Sequence, residues 1–429
     1  MLEPVEKKQI GLWSLYDFAN SLGFIAVSFY FSLWFISDRH RADIWISVTV
    51  ALATVVLLFT LPVFGAMSDR LYRRMPFLKI FTLLAVFSLF GLGFFASQIS
   101  IPTLVIILFY FLFLYFYQGA LAFYNAFLPD LSIGRSLEKI SGFGIAAGQL
   151  GNVIGLALVL PFATGKFSFL GLTGRPVTFI VASIAFLIFV LPTLFGLKDK
   201  VELSTSSTKP KLNFGPTFKE TLRDLRQIKQ YPSLLTYLIS YYFFADASLT
   251  LGLFASLYFE VVGKLNDAQK TLVGIIALVF TVIGALAAEK IAKMLGSLKR
   301  SLSAALVLEA MLLAVFAFST NKILFMVMVI LNGFVFGLLF SLSRAFYSRL
   351  IPSGQHAKFF GIYVLFERCA SVLGPLVWSL TAIAFAFLGN VVKYRLAMLS
   401  LAILIVISFI IFRFVKESQD SVLRPPEVL

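Results

Sequence analysis

The sequence is poor in the residues that build metal sites and disulfides. Among its 429 residues there is one cysteine, Cys369, and there are two histidines, His40 and His356. A single cysteine excludes an intramolecular disulfide and a cysteine-based metal cluster. Two histidines are too few for a histidine-rich metal site. We therefore expect no metal and no cofactor.

Charged residues are also scarce. Asp, Glu, Lys and Arg make up 13% of the chain, whereas hydrophobic residues make up 59% and Phe alone contributes 49 residues. A soluble domain has about 25% charged and about 45–50% apolar residues. The mean hydropathy of +0.93 agrees with this excess of apolar residues. This composition excludes a soluble globular enzyme, a disordered protein and a disulfide scaffold, and it indicates that lipid surrounds most of the chain.

Twelve apolar runs are long enough to cross a membrane as helices, which takes about 20 residues each. They cover residues 12–36, 44–67, 77–97, 102–127, 140–163, 176–197, 233–259, 270–290, 301–320, 323–342, 358–388 and 394–415. Their continuity does not fit the alternating strands of a membrane β-barrel. The first run is too long for the apolar region of a cleaved signal peptide. The sequence therefore predicts an all-α integral membrane protein with twelve transmembrane helices.

The distribution of Lys and Arg predicts the orientation. With twelve spans both termini lie on one side of the membrane, and the segments of that side hold 26 Lys and Arg against 9 in the opposite loops. Basic residues accumulate in cytoplasmic loops. We expect a multi-pass protein of the cytoplasmic (inner) membrane with both termini in the cytoplasm. Topology then explains the net charge of +15, so we expect no nucleic-acid partner.

One long polar segment, residues 198–232, separates six spans from six. It contains a Ser/Thr-rich stretch at 204–208, followed by apolar residues at helical spacing from Leu212 to Tyr231. This pattern predicts a linker with a basic amphipathic helix, which we interpret as a connector rather than a partner site. The expected domains are an N-terminal bundle over 1–197, the linker, and a C-terminal bundle over 233–429.

Three short patterns of the first half recur in the second half at offsets of 217 to 229. They are Ala-Phe-Tyr at 122–124 and 345–347, Phe-Gly-Ile at 143–145 and 360–362, and a carboxylate in the first helix of each half, Asp17 and Asp246. Internal repeats of this kind are typical of transporter folds. The repeat predicts two six-helix bundles around a central cavity.

The segment after the second span reads Gly-Ala-Met-Ser-Asp-Arg-Leu-Tyr-Arg-Arg over residues 65–74. It resembles the loop 2–3 signature of the major facilitator superfamily, in which Gly, three residues and Asp-Arg precede further basic residues. The resemblance implies a gating motif that comprises Gly65, Asp69, Arg70, Arg73 and Arg74. An ordinary basic cytoplasmic loop is the alternative interpretation.

Four further stretches resemble the vacuolar-effluxer family of major facilitators, which includes the autophagy-related vacuolar amino-acid effluxers of fungi and many bacterial members. They are Tyr-Asp-Phe-Ala-Asn-Ser at 16–21, Tyr-Asn-Ala-Phe-Leu-Pro-Asp at 124–130, a glycine-rich stretch at 140–155, and Phe-Phe-Gly-Ile-Tyr at 359–363 followed by Leu-Gly-Pro at 373–375. Phe18 stands where the pattern usually has Trp. The resemblance covers most of the chain and implies export of small solutes, with amino acids as the fungal precedent.

Ionisable side chains inside membrane spans are costly and are therefore candidates for function. Asp17 and Asp246 occupy spans that line the cavity in the superfamily, where a carboxylate can bind an amino group or a proton. The alternative for Asp17 is a packing contact, with hydrogen bonds to Asn20 or Ser21. Neutral polar candidates for substrate binding are Tyr16, Asn20, Gln118, Tyr124 and Asn125.

Glu367 and Arg368 lie near the middle of span 11. Adjacent helical residues point about 100° apart, so the two side chains cannot face one point. A site with both signs would suit a zwitterionic substrate, and an internal salt bridge is the alternative. Arg344 lies near a span end, where we interpret it as reaching the membrane interface. The glycines of span 5 predict close packing against a moving partner helix.

No Gly-rich phosphate loop is present, so direct ATP drive is not expected. The sequence predicts a secondary active transporter, not an enzyme, that moves a small solute across the membrane by alternating access. We expect efflux of an amino acid or similar metabolite by a lipid-embedded monomer, with proton coupling as one option. The alternative is an integral-membrane lipid- or drug-handling protein, either a transporter or a membrane enzyme.

Overall fold

The structure, a computed structural model, describes residues 4–70, 73–98, 100–131, 137–199, 228–351 and 356–416. Within these ranges all regular elements are helical, apart from an isolated bridge between Phe169 and Leu172. The predicted amphipathic helix of the linker runs from Leu212 to Tyr231, and its part up to residue 227 lies outside the described residues. Near its end, Ile228–Gln230 form a 3₁₀-helical turn.

Six long helices form the described part of the first half of the chain. They are α1 (Pro4–Leu33), α2 (Ile44–Arg70), α3 (Met75–Ala96), α4 (Thr103–Asn125), α5 (Leu137–Ala163) and α6 (Val177–Gly196). A π-helical turn, Trp34–Asp38, continues α1, and a one-turn helix, Leu128–Leu131, follows α4.

Seven α-helices form the described part of the second half. They are α7 (Pro232–Val261), α8 (Asp267–Met294), α9 (Leu298–Phe318), α10 (Lys322–Leu350), α11 (His356–Cys369), α12 (Leu373–Ala384) and α13 (Asn390–Arg413). Side chains cap the starts of three of them, where N–H groups lack partners within the helix. Asn266 and Gln269 form a capping box at α8, Ser297 caps α9 and Asn321 caps α10.

Eleven of the described helices are long and apolar enough to span a membrane, and they coincide with eleven of the twelve predicted spans. The prediction of a continuous span over 358–388 is wrong, because α11 and α12 are separate helices with a break at 370–372. Pro375 has no N–H to donate, and its ring clashes with the carbonyl four residues earlier. It is the third residue of α12, in the first turn, where the missing N–H costs no hydrogen bond within the helix.

The chain divides into two compact units. Unit 1 contains residues Met1–Arg41 and Val48–Glu220, and unit 2 contains Ala42–Ser47 and Thr221–Leu429. In unit 1, α1 packs against α5 and α6, and α3 packs against α4 and α6. The corresponding pairs recur in unit 2, where α13 packs against both α7 and α9. The sequence repeat is thus a repeat of helix packing.

The glycine face of α5 packs on α1 of the same unit, so close packing is confirmed and its partner is identified. A Cβ at Gly155 would lie 2.9 Å from the Leu22 carbonyl oxygen, and one at Gly151 would overlap the Phe18 carbonyl oxygen. Lipid gives no hydrophobic drive for helix association, so small residues that allow close approach contribute through packing. These contacts fix the position of α1 relative to α5.

Unit 2 has an aromatic core around Trp378 of α12. Its ring is parallel to Phe254 at 5.0 Å between centroids, and its indole N–H donates to Asp43 at 3.3 Å. The Tyr394 hydroxyl donates to the same carboxylate at 3.1 Å. Burial raises the pKa of Asp43, while these two donors and the positive charge of Lys393 oppose that rise.

Candidate functional site

An aromatic stack organises the polar face of α1 in unit 1. Trp13 and Tyr16 stack on Tyr124 of α4, with centroid distances of 4.6 and 4.8 Å. The Trp13 indole N–H donates to the Tyr124 carbonyl at 3.2 Å, and the hydroxyls of Tyr16 and Thr82 share a hydrogen bond of 2.9 Å. Each ring is buried. Because the rings are in contact with each other, the stack fixes the helices and leaves no space between them for a ligand.

Asp17 lies beside this stack, one residue after Tyr16, and it is only half-buried. Its carboxylate and Ser21 face Gly148 of α5, where a Cβ would lie 3.2 Å from Asp17 Oδ2 and 3.0 Å from Ser21 Oγ. Among the described residues none donates a hydrogen bond to Asp17, so the packing contact to Asn20 or Ser21 is not formed. The carboxylate is therefore available to a proton or to a cationic group.

The neutral candidates of unit 1 separate in the structure. The Tyr124 hydroxyl and Asn20 Oδ1 are buried and have no hydrogen-bond partner among the described residues. Gln118 is half-buried on α4, and Asn125 is exposed at the end of that helix. Of the neutral candidates, the aromatic stack brings Tyr16 and Tyr124 together beside Asp17.

A related aromatic stack occurs in unit 2, and it sets the register of the repeat. Tyr237 of α7 stacks on Tyr347 of α10 at 5.7 Å, as Trp13 does on Tyr124. The offsets between these partners are 224 and 223 residues. Asp17 therefore corresponds to Tyr241, and Asp246 lies five residues further along its helix. In this alignment Asp246 lies more than one helical turn away from the position that corresponds to Asp17.

Asp246 is wholly buried and takes part in the break between α11 and α12. Its Oδ2 accepts a hydrogen bond of 2.6 Å from the Gly374 N–H at the start of α12. A Cβ at Gly374 would lie 3.0 Å from Asp246 Oδ1 and would overlap Thr250 Oγ1. A carboxylate is favoured at the N-terminal end of a helix. The position supports a structural cap more than an open binding group.

Glu367 of α11 meets Arg344 of α10 rather than its neighbour Arg368. Arg344 Nη2 and Glu367 Oε1 are 3.9 Å apart, and the two side chains are 50% and 31% exposed. This is a loose ion pair between two partly exposed side chains. Arg368 is half-buried in the last turn of α11, where its carbonyl accepts from Ser371 at 3.1 Å.

Arg344 was not among the predicted site residues, because hydropathy places it near the end of its span. The structure extends α10 to Leu350, so Arg344 lies six residues inside the helix. The sequence did offer one indication: Arg344 and Tyr347 are three residues apart, about one helical turn, and so share a face of the helix. Two further acidic residues lie in long apolar helices. Glu260 pairs with the buried Lys270, and Glu309 is buried in α9, where its Oε2 has no hydrogen-bond partner among the described residues.

Hydrogen bonds at the start of α3 hold Arg74, the last residue of the predicted gating motif. The Arg74 guanidinium donates to the Ala126 carbonyl at 2.6 Å, and the backbone N–H of Arg74 donates to Asp199 Oδ1 at 3.0 Å. Arg73 is exposed, and Gly65 lies within α2. Asp69 and Arg70 end α2, and their side chains lie outside the described residues.

Comparison with known proteins places these features in a family. The sequence model of the family described as "Vacuole effluxer Atg22 like" matches residues 39–422. The chain belongs to this family. The protein YxiO of Bacillus subtilis (strain 168), described as an uncharacterized MFS-type transporter, is 25% identical over 430 residues, 96% of each chain. Autophagy-related protein 22 of Yarrowia lipolytica is 23% identical over 276 residues, which are 56% of this chain and 45% of the fungal protein.

Solved structures show the same fold at low sequence identity. A bacterial homologue of the human lysosomal transporter Spinster superposes with a TM-score of 0.75 at 12% identity, covering 98% of this chain and 99% of that one. The nucleoside transporter NupG gives a TM-score of 0.71 at 14% identity, covering 97% of this chain and 100% of that one. These findings confirm the predicted major facilitator fold and the vacuolar-effluxer resemblance. This member of the Atg22-like effluxers is a multi-pass membrane transporter.

Proposed function

We propose that the chain is a secondary active transporter that exports a small zwitterionic solute of the amino-acid class by alternating access. Asp17 takes up the coupling proton, and the Arg344–Glu367 pair binds the two charged ends of the solute. The protein works in the cytoplasmic membrane with both termini inside, as its distribution of basic residues indicates.

The observation that carries this proposal is the loose pair of opposite charges on α10 and α11. At 3.9 Å the two groups are at the limit of an ion pair, and both keep exposed surface. A charged side chain that faces lipid is costly, so this surface is expected to face water. A carboxylate entering there can bind the guanidinium with two parallel hydrogen bonds, while Glu367 accepts from an ammonium group.

The corresponding positions of unit 1 carry no charges. They are occupied by Leu121 and Leu150, at offsets of 223 and 217. The replacement of both by opposite charges in unit 2 supports a role in ligand binding.

The proposal gives the two carboxylates in the spans different roles, with Asp17 in proton coupling and Asp246 in structure. Asp17 is half-buried without a donor among the described residues, whereas Asp246 is buried and caps α12. A carboxylate that must gain and lose a proton needs contact with water, and of these two only Asp17 has it. The effluxer description of the family and the name of its fungal members support export.

The test uses purified protein in liposomes and two assays of a labelled amino acid. Asp17→Asn mimics the protonated acid, so we expect uptake driven by a pH gradient to fall at least tenfold. Exchange with amino acid on both sides should remain within about twofold, because exchange need not release the proton. Asp246→Asn, which keeps an acceptor oxygen for Gly374, is the matched control and should retain both activities.

Two results would count against the proposal in separate ways. Wild-type gradient-driven rates in Asp17→Asn would remove Asp17 from coupling. A wild-type protein that transports no amino acid, but moves a lipid or a hydrophobic drug, would replace the substrate class with the alternative.

A further inference from the structure

Asp199 occupies a junction that joins four helices of unit 1. It is the third residue after the end of α6, at the point where the chain enters the linker. The helices α1 and α3 begin at this end of the unit, and α4 and α6 finish there. Nothing in the sequence distinguishes Asp199 from the other polar residues of the linker.

The carboxylate of Asp199 accepts hydrogen bonds from the first two backbone N–H groups at the start of α3. The Arg74 N–H donates to Oδ1 at 3.0 Å, and the Met75 N–H lies 3.2 Å from both Oδ1 and Oδ2. The first N–H groups of a helix have no partner within the helix. Asp199 thus supplies an N-cap from a different part of the chain.

Helix α3 needs this external cap because its own sequence provides none. Arg74 occupies the N-cap position without a side-chain hydrogen bond, and the first turn contains no acidic residue. Two arginines, Arg73 and Arg74, stand instead at the positive end of the helix dipole, where a negative charge is favoured. The carboxylate of Asp199 offsets both deficits.

The second half of the chain shows that a local cap would have been sufficient for the helix alone. Its counterpart α9 is capped by its own Ser297, whose Oγ accepts from Lys299 and Arg300. The tie between the third and sixth helices is made there by a different group, since Lys299 Nζ donates to the Val415 carbonyl at 2.5 Å. In both units hydrogen bonds connect the start of the third helix with the chain just after the sixth helix.

Further hydrogen bonds hold both sides of the junction. Gln9 of α1 donates to the Gly196 carbonyl at 3.0 Å and accepts from the Lys198 N–H at 2.9 Å, which fixes the chain just before Asp199. On the other side, the Arg74 guanidinium holds the carbonyl of Ala126 at the end of α4. Arg74 also ends the gating motif, so its backbone is bound to Asp199 and its side chain to α4.

We propose that Asp199 is a positioning residue for transport, which couples the gating motif to the end of α6. By fixing Arg74 and Met75, it makes the start of α3 and the first residues of the linker move as one body. The motif then keeps one arrangement relative to unit 1 while the transporter changes state. Asp199 touches no substrate, and the proposal does not depend on which solute is carried.

The experiment compares Asp199→Ala, Asp199→Asn and Ser297→Ala in liposomes, with a counted amount of folded protein. Asp199→Ala removes the link between the start of α3 and the chain after α6. We expect kcat to fall at least fivefold, while KM and the equilibrium affinity for the labelled amino acid stay within twofold. Asp199→Asn keeps an acceptor oxygen and should give an intermediate kcat. Ser297→Ala removes a cap of the same kind from α9 without cutting a link between helices, and it should transport like the wild type.

A labelling measurement reports the position of the loop directly. In a Cys369→Ser background, Arg73→Cys provides a single exposed thiol next to Arg74, and its reaction with a maleimide should become at least threefold faster when Asp199→Ala is added.

If the loss of a helix cap by itself slowed transport, Asp199→Ala and Ser297→Ala would both lower the melting temperature and both would slow transport. That result, or a wild-type kcat in Asp199→Ala, would overturn the proposal. If Asp199→Ala does not fold, Asp199→Asn and Gln9→Ala decide, and wild-type kcat in both overturns it.

Discussion

At the scale of single residues, the two units use one aromatic framework for different chemistry. The stacks on Tyr124 and Tyr347 hold the first and fourth helices of each unit together. Beside the first stack lies Asp17, and the corresponding position beside the second is Tyr241, a buried aromatic residue. The charges of unit 2 lie instead on Arg344 and Glu367. The proposed proton site and the proposed zwitterion site therefore belong to different units.

The Arg344–Glu367 pair makes a prediction about ligand charge. Arg344→Gln removes a charge-assisted contact worth about 1.5–3 kcal/mol, so the affinity for an amino acid should fall by about tenfold or more. The affinity for the decarboxylated amine should change less than twofold, since the amine has no carboxylate for Arg344 to bind. Binding can be measured by calorimetry in detergent. Arg349→Gln, an exposed arginine on the same helix, is the control, and equal losses for both ligands would contradict the assignment.

Sequence reasoning found the polar residues of the proposed site better than it found their structural partners. It singled out Asp17, Tyr124 and Glu367 because polar groups in apolar spans are costly. It paired Asp17 with Asp246, because a motif offset is read along the chain and does not report depth. Only the stacking of Tyr237 on Tyr347 fixes that depth. Asp199 gave no sequence signal, since a cap supplied from another segment depends on tertiary contact.

At the scale of helices, hydropathy locates apolar length and misses interruptions. The ends of eleven spans were predicted to within eight residues, and the twelfth span contains a break that the Gly-Pro pair at 374–375 could have indicated. In lipid, the N–H groups freed by such a break must find partners inside the protein. Asp246 accepts from one of them through Oδ2, whereas its Oδ1 is buried without a hydrogen-bond partner among the described residues.

The break makes a prediction for two glycines with opposite surroundings. Gly374→Ala places a Cβ against Thr250 and Asp246, and overpacking of this kind costs about 1–3 kcal/mol. Gly252→Ala, within α7, meets nothing within 4 Å and should be neutral or stabilising by up to about 1 kcal/mol. Thermal unfolding of the purified variants in detergent should show a lower midpoint for Gly374→Ala only. Equal midpoints would mean that the break relaxes to accept the methyl group.

At the scale of the whole molecule, the fold and the family were predictable, because a transmembrane helix is specified by its own composition. Lipid demands helices, twelve apolar runs fix their number, and the repeat fixes their grouping. The orientation in the membrane rests on the distribution of basic residues alone, so it stays a prediction.

That orientation can be tested with paired reporter fusions at two loops that the fold places at opposite ends of α6. Gly171 lies in the loop before α6, and the linker, with Leu212, follows its other end. Because 26 Lys and Arg lie on the linker side and 9 on the other, we expect the linker in the cytoplasm.

A fluorescent protein inserted after Leu212 should fold and fluoresce, and an alkaline phosphatase fused after Gly171 should be active outside. The swapped pair is the control and should be silent at both points. Activity of one reporter at both loops would contradict an odd number of crossings between them, and the reversed pattern would place the termini outside and turn the proposed direction of export around.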